Sequence, residues 1–425
     1  MQPIDSHLRS FFEPFNSVSR YVVAFSGGMD STVLLHAMMR QELPLHAIHV
    51  NHRMHPESER WQEHCHAICS QWGITVTLMH ADVEKFPQQS LEEIARQARY
   101  RLMSGRLGPH EALVTAHHQD DQAETMLLQL LRGAGPAGLS AMGSRQSLGQ
   151  SLHLRPLLGF PREKLKAYAQ HHSLVWIEDP TNESTQFDRN FLRREIMPEL
   201  VRRWPGAVQT LSRAAGLQNE AMQCLHELAG QDLKAAVTDR PHVLDIRMLR
   251  DLSVPRLKNA LRSWVRSQGM RVPDKKSLDA KVEELVYRQD LNSAPVLAWK
   301  DGEMRRYRER LFLLKPLTEH DPGQSFQWRL DRPLVIDSLN LVLRHSELTQ
   351  YGVVVPKGVK ELTVRFRRGG EQLRPSGEVH HRSLKNLFQE GNIPPWERDR
   401  IPLVYHGDKL ICVFGYWYAD TENHS

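Results

Sequence analysis

Tyr21-Val-Val-Ala-Phe25 is an apolar run of strand length. Ser26-Gly27-Gly28-Met29-Asp30-Ser31 follows it, and a helix-like segment runs from Thr32 to Gln41. A strand, a glycine turn and a helix start bring backbone N–H groups and the positive end of a helix dipole to one point, an arrangement that receives phosphate. The glycines permit close backbone approach and positive φ. Ser26 and Ser31 add hydroxyl donors. Asp30 is the unusual member, because a carboxylate repels phosphate unless a cation lies between them, so it reads as a Mg²⁺ contact. The stretch is neither a G-x-x-x-x-G-K-[ST] loop nor a G-x-G-x-x-G fingerprint. Taken alone, a glycine pair after a strand also serves as a plain tight turn.

Outward from this turn, residues 20 to 180 alternate apolar runs with amphipathic stretches. Strands are expected at Tyr21–Phe25, Leu45–Val50, Ile74–Met79, Ala112–Ala116 and Leu174–Ile177. The helices between them carry end signals: a capping box at Ser90-Leu-Glu-Glu93, Gly73 after Glu57–Trp72, and Pro161 before Arg162–His171. Such alternation predicts an α/β fold with a parallel sheet covered on both faces, its ligands beyond the carboxyl ends of the strands. Residues 201–240 read as a basic helical connector, 241–316 as a small mixed domain with a hairpin at Asp301-Gly302, and 351–425 as a strand-rich domain with many Arg, Pro and Gly. Residues 317–350 carry no clear pattern.

A second constellation is Thr115-Ala-His-His-Gln-Asp-Asp-Gln-Ala-Glu-Thr125, at a strand's end and a helix's start. Asp121 and Glu124 are three apart and share a helix face, with His117 just before. These groups can hold Mg²⁺, position a pyrophosphate, or take a proton from an attacking amine. The simpler alternative is helix capping by Asp120 with Asp121 complementing the dipole, which requires neither His117 nor Glu124. Arg96 and Arg99 lie one turn apart, on a polyanion site or a solvated face. Arg189 and Arg193, at i and i+4, can clamp phosphate. His49-Val-Asn-His52 can flank an adenine or form an ordinary loop. His64, Cys65, His66 and Cys69 lack paired C-x-x-C spacing, and their segment reads as an amphipathic helix, which argues against zinc.

The 425 residues imply two or three domains. Net charge is only +5, from 55 Lys+Arg against 50 Asp+Glu; this permits a nucleic acid partner without requiring one. No apolar run is long enough to span a membrane. Four cysteines do not make a disulfide framework, so a cytoplasmic location is expected. No heptad run or interface patch fixes an oligomeric state.

The Ser26–Ser31 turn resembles the S-G-G-x-D-S loop of the PP-loop ATP pyrophosphatases. Together with His49–His52, Glu57-Ser-Glu, Ala95–Tyr100, His117–Thr125, Leu131-Arg-Gly-Ala-Gly135, Arg155-Pro-Leu-Leu158, Glu178–Arg193, Arg365–Arg400 and Gly415-Tyr-Trp417, it is similar to the tRNA(Ile)-lysidine synthetase family. The resemblance implies a Rossmann-like, adenine-nucleotide-alpha-hydrolase-like catalytic domain over 1–200, with both C-terminal domains binding tRNA and no DNA. It implies ATP and Mg²⁺ as cofactors, and L-lysine and the CAU-anticodon isoleucine tRNA as partners. The wobble cytidine is adenylated at its C2 oxygen with release of diphosphate, and lysine then displaces AMP to give lysidine. Carried residue by residue, Ser26, Gly27, Gly28, Met29, Asp30 and Ser31 bind ATP, with Asp30 toward Mg²⁺. Arg99, His117, Asp121, Glu124 and Arg193 fall on active-site positions. The family often has Gly-Leu after the His52 position, where this chain has Arg53-Met54. A 2-thiocytidine synthetase shares the loop, but its chemistry resembles one using paired cysteines, which this chain lacks. A non-catalytic RNA-binding protein with a degenerate ATPase core would explain the basic C-terminal half. It would leave Asp30, His117, Asp121 and Glu124 without a reason.

Overall fold

The computed structural model describes residues 3–51, 56–81, 91–178, 185–288, 294–350, 352–355 and 358–419. It divides into two compact units, Met1–Glu227 and Leu228–Ser425.

The first unit opens with α1 (Pro3–Phe12), whose apolar face (Ile4, Leu8, Phe12) is buried and which the sequence reading did not anticipate. There follow β1 (Arg20–Ala24), α2 (Met29–Met39), β2 (Leu45–Asn51), α3 (Ser58–Gln71), β3 (Thr75–His80), α4 (Leu91–Ser104), β4 (Glu111–Val114) and α5 (Gln119–Leu131). Then come α6 (Pro136–Leu139), β5 (Arg145–Leu148), β6 (Ser151–Leu154), α7 (Arg162–His171), α8 (Asp188–Phe191), α9 (Met197–Arg203) and the long α10 (Ala207–Lys234). The sheet order is β3-β2-β1-β4-β6-β5, parallel throughout except the edge strand β5. Tyr21, Val23 and Phe25 join one core with Leu34, Leu35, Leu165 and Tyr168; Val22, Ile48 and Leu113 meet Met103 in another. Burial on both faces is why these strands read as unbroken apolar runs.

Two expectations change. The fifth parallel strand is β6, not Leu174–Ile177, which lies outside the sheet. Ile177 instead donates its backbone N–H to the Gly27 carbonyl at 2.9 Å, strapping the glycine turn from outside. The expected cap at Ser90 lies outside the described residues, as do His52, Arg53 and Met54.

In the second unit, β7 (Val243–Asp245), α11 (Val254–Ser267), α12 (Lys275–Val282), β8 (Val296–Trp299), β9 (Gly302–Tyr307) and β10 (Arg310–Leu314) form a layer with sheet order β7-β10-β9-β8. The hairpin turns at Lys300-Asp301, with Trp299 opposite Gly302. The chain continues through β11 (Ser325–Arg329), β12 (Leu334–Ile336), β13 (Leu341–Leu343), α13 (His345–Gln350), β14 (Glu361–Arg365), β15 (Gln372–Leu373) and β16 (Arg382–Ser383). It ends in α14 (Leu384–Glu390), α15 (Pro395–Arg398), β17 (Leu403–His406), β18 (Lys409–Val413) and β19 (Trp417–Tyr418). Strand β11 pairs with β14 in the antiparallel sheet β11-β14-β17-β18-β19, so part of the unassigned 317–350 segment belongs to the C-terminal sheet. Trp396 ties the two layers together, with its ring 5.4 Å from Phe312 and the Arg305 guanidinium 5.4 Å above it.

Gly27 has φ +81°, and a Cβ there would lie 2.8 Å from both Cys65 Sγ and Ile177 Cδ1. Gly28 has φ −73° and room for a Cβ, its nearest neighbour being Ser26 Oγ at 3.5 Å. Gly27→Ala is therefore expected to destabilise the first unit by about 1–3 kcal/mol, through backbone strain and overpacking. Gly28→Ala is expected to change stability much less. Urea unfolding of the two variants checks this; equal losses would contradict the assignment.

Candidate active site

The glycine turn closes on itself. Of its two glycines only Gly27 uses the left-handed region, which corrects the expectation that both would. Helix α2 begins at Met29, three residues earlier than expected, so Asp30 and Ser31 lie in its first turn. Ser31 Oγ donates to the Gly28 carbonyl at 3.0 Å, lies 3.0 Å from Ser26 Oγ and accepts the Ser26 N–H at 3.2 Å. Both hydroxyls thus shape the turn here. Asp30 Oδ1 is buried and accepts no hydrogen bond from the described residues. His49 supports the turn from β2: its buried Nδ1–H donates to the Phe25 carbonyl at 3.0 Å. Burial lowers the His49 pKa, and the Arg99 charge adds to the effect. Arg99 itself is exposed on α4, within electrostatic range of this strand end.

The second wall is the start of α5. Its N-cap is His118, not Asp120. The His118 backbone N–H donates to Asp121 Oδ2 at 3.0 Å, while Asp120 Oδ2 accepts the Arg162 N–H at 2.9 Å and so ties α5 to the start of α7. The His118 ring is 2 % exposed. Its Nε2 lies 3.6 Å from Asp30 Oδ2 and 3.5 Å from Asp121 Oδ2, and its Nδ1 lies 3.5 Å from Asp120 Oδ2. Burial opposes its charge, but Asp120, Asp30 and Asp121 outweigh burial and push its pKa up to about 10. A buried imidazolium thus joins the turn after β1 to the helix after β4. The sequence reading passed over it for its neighbour His117; the three acidic residues Asp30, Asp120 and Asp121 were the available signal.

Asp121 and Glu124 share one face of α5 as expected, and both are buried. Arg189 Nε donates to Glu124 Oε2 at 2.8 Å and its Nη2 to Asp121 Oδ1 at 2.9 Å. Arg193 Nε donates to Glu124 Oε1 at 2.6 Å, and its Nη2 to Glu124 Oε2 at 2.9 Å and to Asp121 Oδ1 at 3.2 Å. Both guanidinium forks therefore hold carboxylates here, where the sequence reading had them clamping phosphate. Burial would raise the Asp121 pKa, yet the charges of His118, Arg189 and Arg193 hold it well below the usual carboxylate range. Arg193 lies within a turn of π-helix, Leu192–Ile196, a rare local geometry frequent at functional sites. Nothing in the sequence announces it.

His117 stands at the end of a buried polar chain. Its Nδ1 is 2.7 Å from Thr115 Oγ1, which is 2.9 Å from His153 Nε2; Arg155 Nη2 donates to His153 Nδ1 at 2.9 Å. Elsewhere, Cys65 and Cys69 are buried, and desolvation pushes their thiols up to about 12 and about 11. Many C-terminal arginines have internal partners: Arg365 lies 5.0 Å over Tyr405, Arg398 donates to Tyr307 Oη at 2.9 Å, and Arg382 pairs with Glu378 and Glu390.

The His118 cluster fixes a sign of pH dependence. The raised His118 pKa contributes stability that is full below about 6.5 and drains as pH rises toward about 10, because the unfolded chain loses that proton first. Asp121 behaves oppositely, stabilising above the ordinary carboxylate range and losing its contribution on acidification. In the ligand-free protein the urea midpoint of the first unit is expected to fall between about pH 7 and about 10, and to fall less steeply in His118→Asn. An identical slope in both proteins would contradict a charged His118.

Comparison with known proteins agrees with this architecture. Residues 1–200 match the PP-loop domain, 244–312 the TilS substrate binding domain and 362–425 the TilS substrate C-terminal domain. The tRNA(Ile)-lysidine synthase of Alkalilimnicola ehrlichii is 42% identical over 402 residues, 93% of this chain and 89% of the relative. Those of Coxiella burnetii and Methylococcus capsulatus are each 40% identical, over 96% and 98% of this chain and 91% and 95% of the relatives. Identity at this level, sustained over nearly the whole length of both chains, places this chain in the tRNA(Ile)-lysidine synthase family of PP-loop ATP-using ligases.

Proposed function

We infer that the chain joins L-lysine to C2 of the wobble cytidine in the CAU-anticodon isoleucine tRNA, consuming ATP and releasing AMP and diphosphate. One observation carries the chemistry: the glycine turn bearing Asp30 and the α5 face bearing Asp121 and Glu124 meet at His118, at the carboxyl ends of adjacent parallel strands β1 and β4. One element suits a triphosphate and the other a cationic amine.

The N–H groups of the first turn of α2, with those of the glycine turn not bonded to Ser26 or Ser31 Oγ, receive the phosphates. Asp30, whose Oδ1 accepts no hydrogen bond among the described residues and has only the longer ion pair to Arg162 Nε at 3.9 Å, fits the single carboxylate with which proteins often share Mg²⁺ with nucleotide phosphates. Bound there, Mg²⁺ would neutralise charge on the phosphates. The cytosine O2 attacks the α-phosphorus as the bond to diphosphate breaks. The lysine ε-amine then attacks C2, the bond to AMP breaks, and the amine proton passes to a carboxylate. Asp121 and Glu124 are the carboxylates for that amine. Holding Mg²⁺ fits them less well, because two guanidinium groups already occupy their oxygens. An incoming ammonium exchanges with one of these; Arg189 is the candidate, since Arg193 makes the denser set of bonds to Glu124. Arg99 serves the nucleotide side, near β2.

An anticodon loop presents unpaired bases, so the target cytidine needs no extraction from a duplex. No described helix is long and apolar enough to cross a membrane. Free cysteines suit a reducing cytoplasm. A 2-thiocytidine synthetase is not favoured: Cys65, Cys69 and Cys412 are buried, and Cys224 is exposed on α10.

Incubation with ATP, Mg²⁺, labelled lysine and defined transcripts tests the reading. Label is expected in the CAU isoleucine tRNA and absent from methionine tRNAs with the same anticodon. Label in both, or in neither, would contradict the substrate assignment. Asp30→Asn is expected to lose tRNA-dependent ATP–pyrophosphate exchange; full exchange in the variant would contradict the role of Asp30, and no exchange in the wild type would favour a binding-only protein.

A further inference from the structure

The geometry points to His117 as a neutral hydrogen-bond donor, its tautomer set by the chain Arg155–His153–Thr115, with Thr115 and His153 as positioning residues for the reaction. The direction of every bond in that chain follows from its fixed end. A guanidinium can only donate, so His153 Nδ1, 2.9 Å from Arg155 Nη2, is the accepting nitrogen. The proton of His153 is then on Nε2, which donates to Thr115 Oγ1 at 2.9 Å. Thr115 is 5 % exposed, and among the described residues its hydroxyl hydrogen has one acceptor left, His117 Nδ1 at 2.7 Å. An Nδ1 that accepts leaves the ring proton on Nε2. Arg155 is itself anchored, donating through Nη1 to the Gly143 carbonyl at 2.8 Å, and is 5 % exposed. The chain joins the end of β4 to β6, two neighbouring strands of the sheet.

This assignment divides the labour at the site. An imidazole whose accepting nitrogen is already engaged is a poor base, so removing the lysine proton falls to the α5 carboxylates. What His117 offers is an Nε2–H fixed in advance, the kind of donor that stabilises negative charge developing on a phosphoryl oxygen. Asp121 lies within electrostatic range and favours a charged His117, but charging it would reverse the Thr115 bond, with Nδ1–H donating to Oγ1, and leave the buried hydroxyl hydrogen without an acceptor. This functional part rests on the proposed reading that His117 faces the nucleotide; the tautomer does not.

Two measurements test it. In full-length protein labelled with ¹⁵N-histidine, long-range ¹H–¹⁵N spectra assigned by His117→Gln are expected to show His117 as the neutral Nε2–H tautomer from about pH 6 to 8. An Nδ1–H tautomer, or a cation in that range, would overturn the inference whatever the enzyme's substrate. Thr115→Val keeps the shape and removes the hydroxyl. Adenylation of the tRNA is expected to slow by about 10–100-fold, with the KM for ATP little changed and Thr115→Ser restoring the rate. Undiminished adenylation in Thr115→Val, or a loss confined to KM, would overturn the catalytic part. Wild-type enzyme that adenylates no tRNA while showing the expected tautomer would instead locate the failure in the proposed reaction.

Discussion

A buried imidazolium facing three carboxylates is the constraint from which the rest of the site follows. His118 is nearly inaccessible to water, and burial alone would strip its charge. It stays charged because Asp30 comes from the turn after β1 while Asp120 and Asp121 come from the start of α5. The attraction fixes the separation of two loops that the sheet only brings to neighbouring strand ends. Arg162 beside Asp30, and Arg189 and Arg193 beside Asp121, add further compensation from outside the cluster.

The same logic governs the other side of α5. Glu124 is 2 % exposed, and removing one partner from such a pair typically costs about 3–5 kcal/mol, because a buried charge is left behind. Supplying two arginines to two carboxylates avoids that cost in the ligand-free protein. On the proposed reading, a cationic substrate meets an occupied site and exchanges with a cation of the chain. The π-helical turn at Leu192–Ile196 lies between Arg189 and the rest of the connector, where a local irregularity changes which side chains reach α5.

Much of this was legible in the sequence, for physical reasons. Strands β1 to β4 are short apolar runs beside turn residues, and the spacing of Asp121 and Glu124 implies one helix face. What was missed has its own causes. Edge strand β5 is exposed and carries Arg145 and Ser147, while β6 buries Ser151 and His153 in hydrogen bonds to the Gly108 carbonyl and Thr115, so both lack the apolar signature. Leu174–Ile177 has that signature but is used as a strap on Gly27, where only tertiary contacts decide its partner. His117 and His118 are adjacent and chemically alike. Their roles diverge because one ring points into carboxylates and the other into a threonine, and no spacing rule separates them. The early start of α2 follows from the closed serine network of the turn, which is visible only once Ser26 and Ser31 are brought together.

The second unit shows how a mild positive charge is spread. Three of its arginines, Arg365, Arg382 and Arg398, are engaged with Tyr405, with Glu378 and Glu390, and with Tyr307, so positive charge alone is a weak guide to where an RNA would lie. The central claim concerns the first unit and is best tested by a crystal structure with a non-hydrolysable ATP analogue. The account predicts the phosphates on the backbone N–H groups of the Ser26–Ser31 turn, with Asp30 beside them and the α-phosphate toward the α5 face. A nucleotide bound elsewhere, with the turn empty, would contradict it.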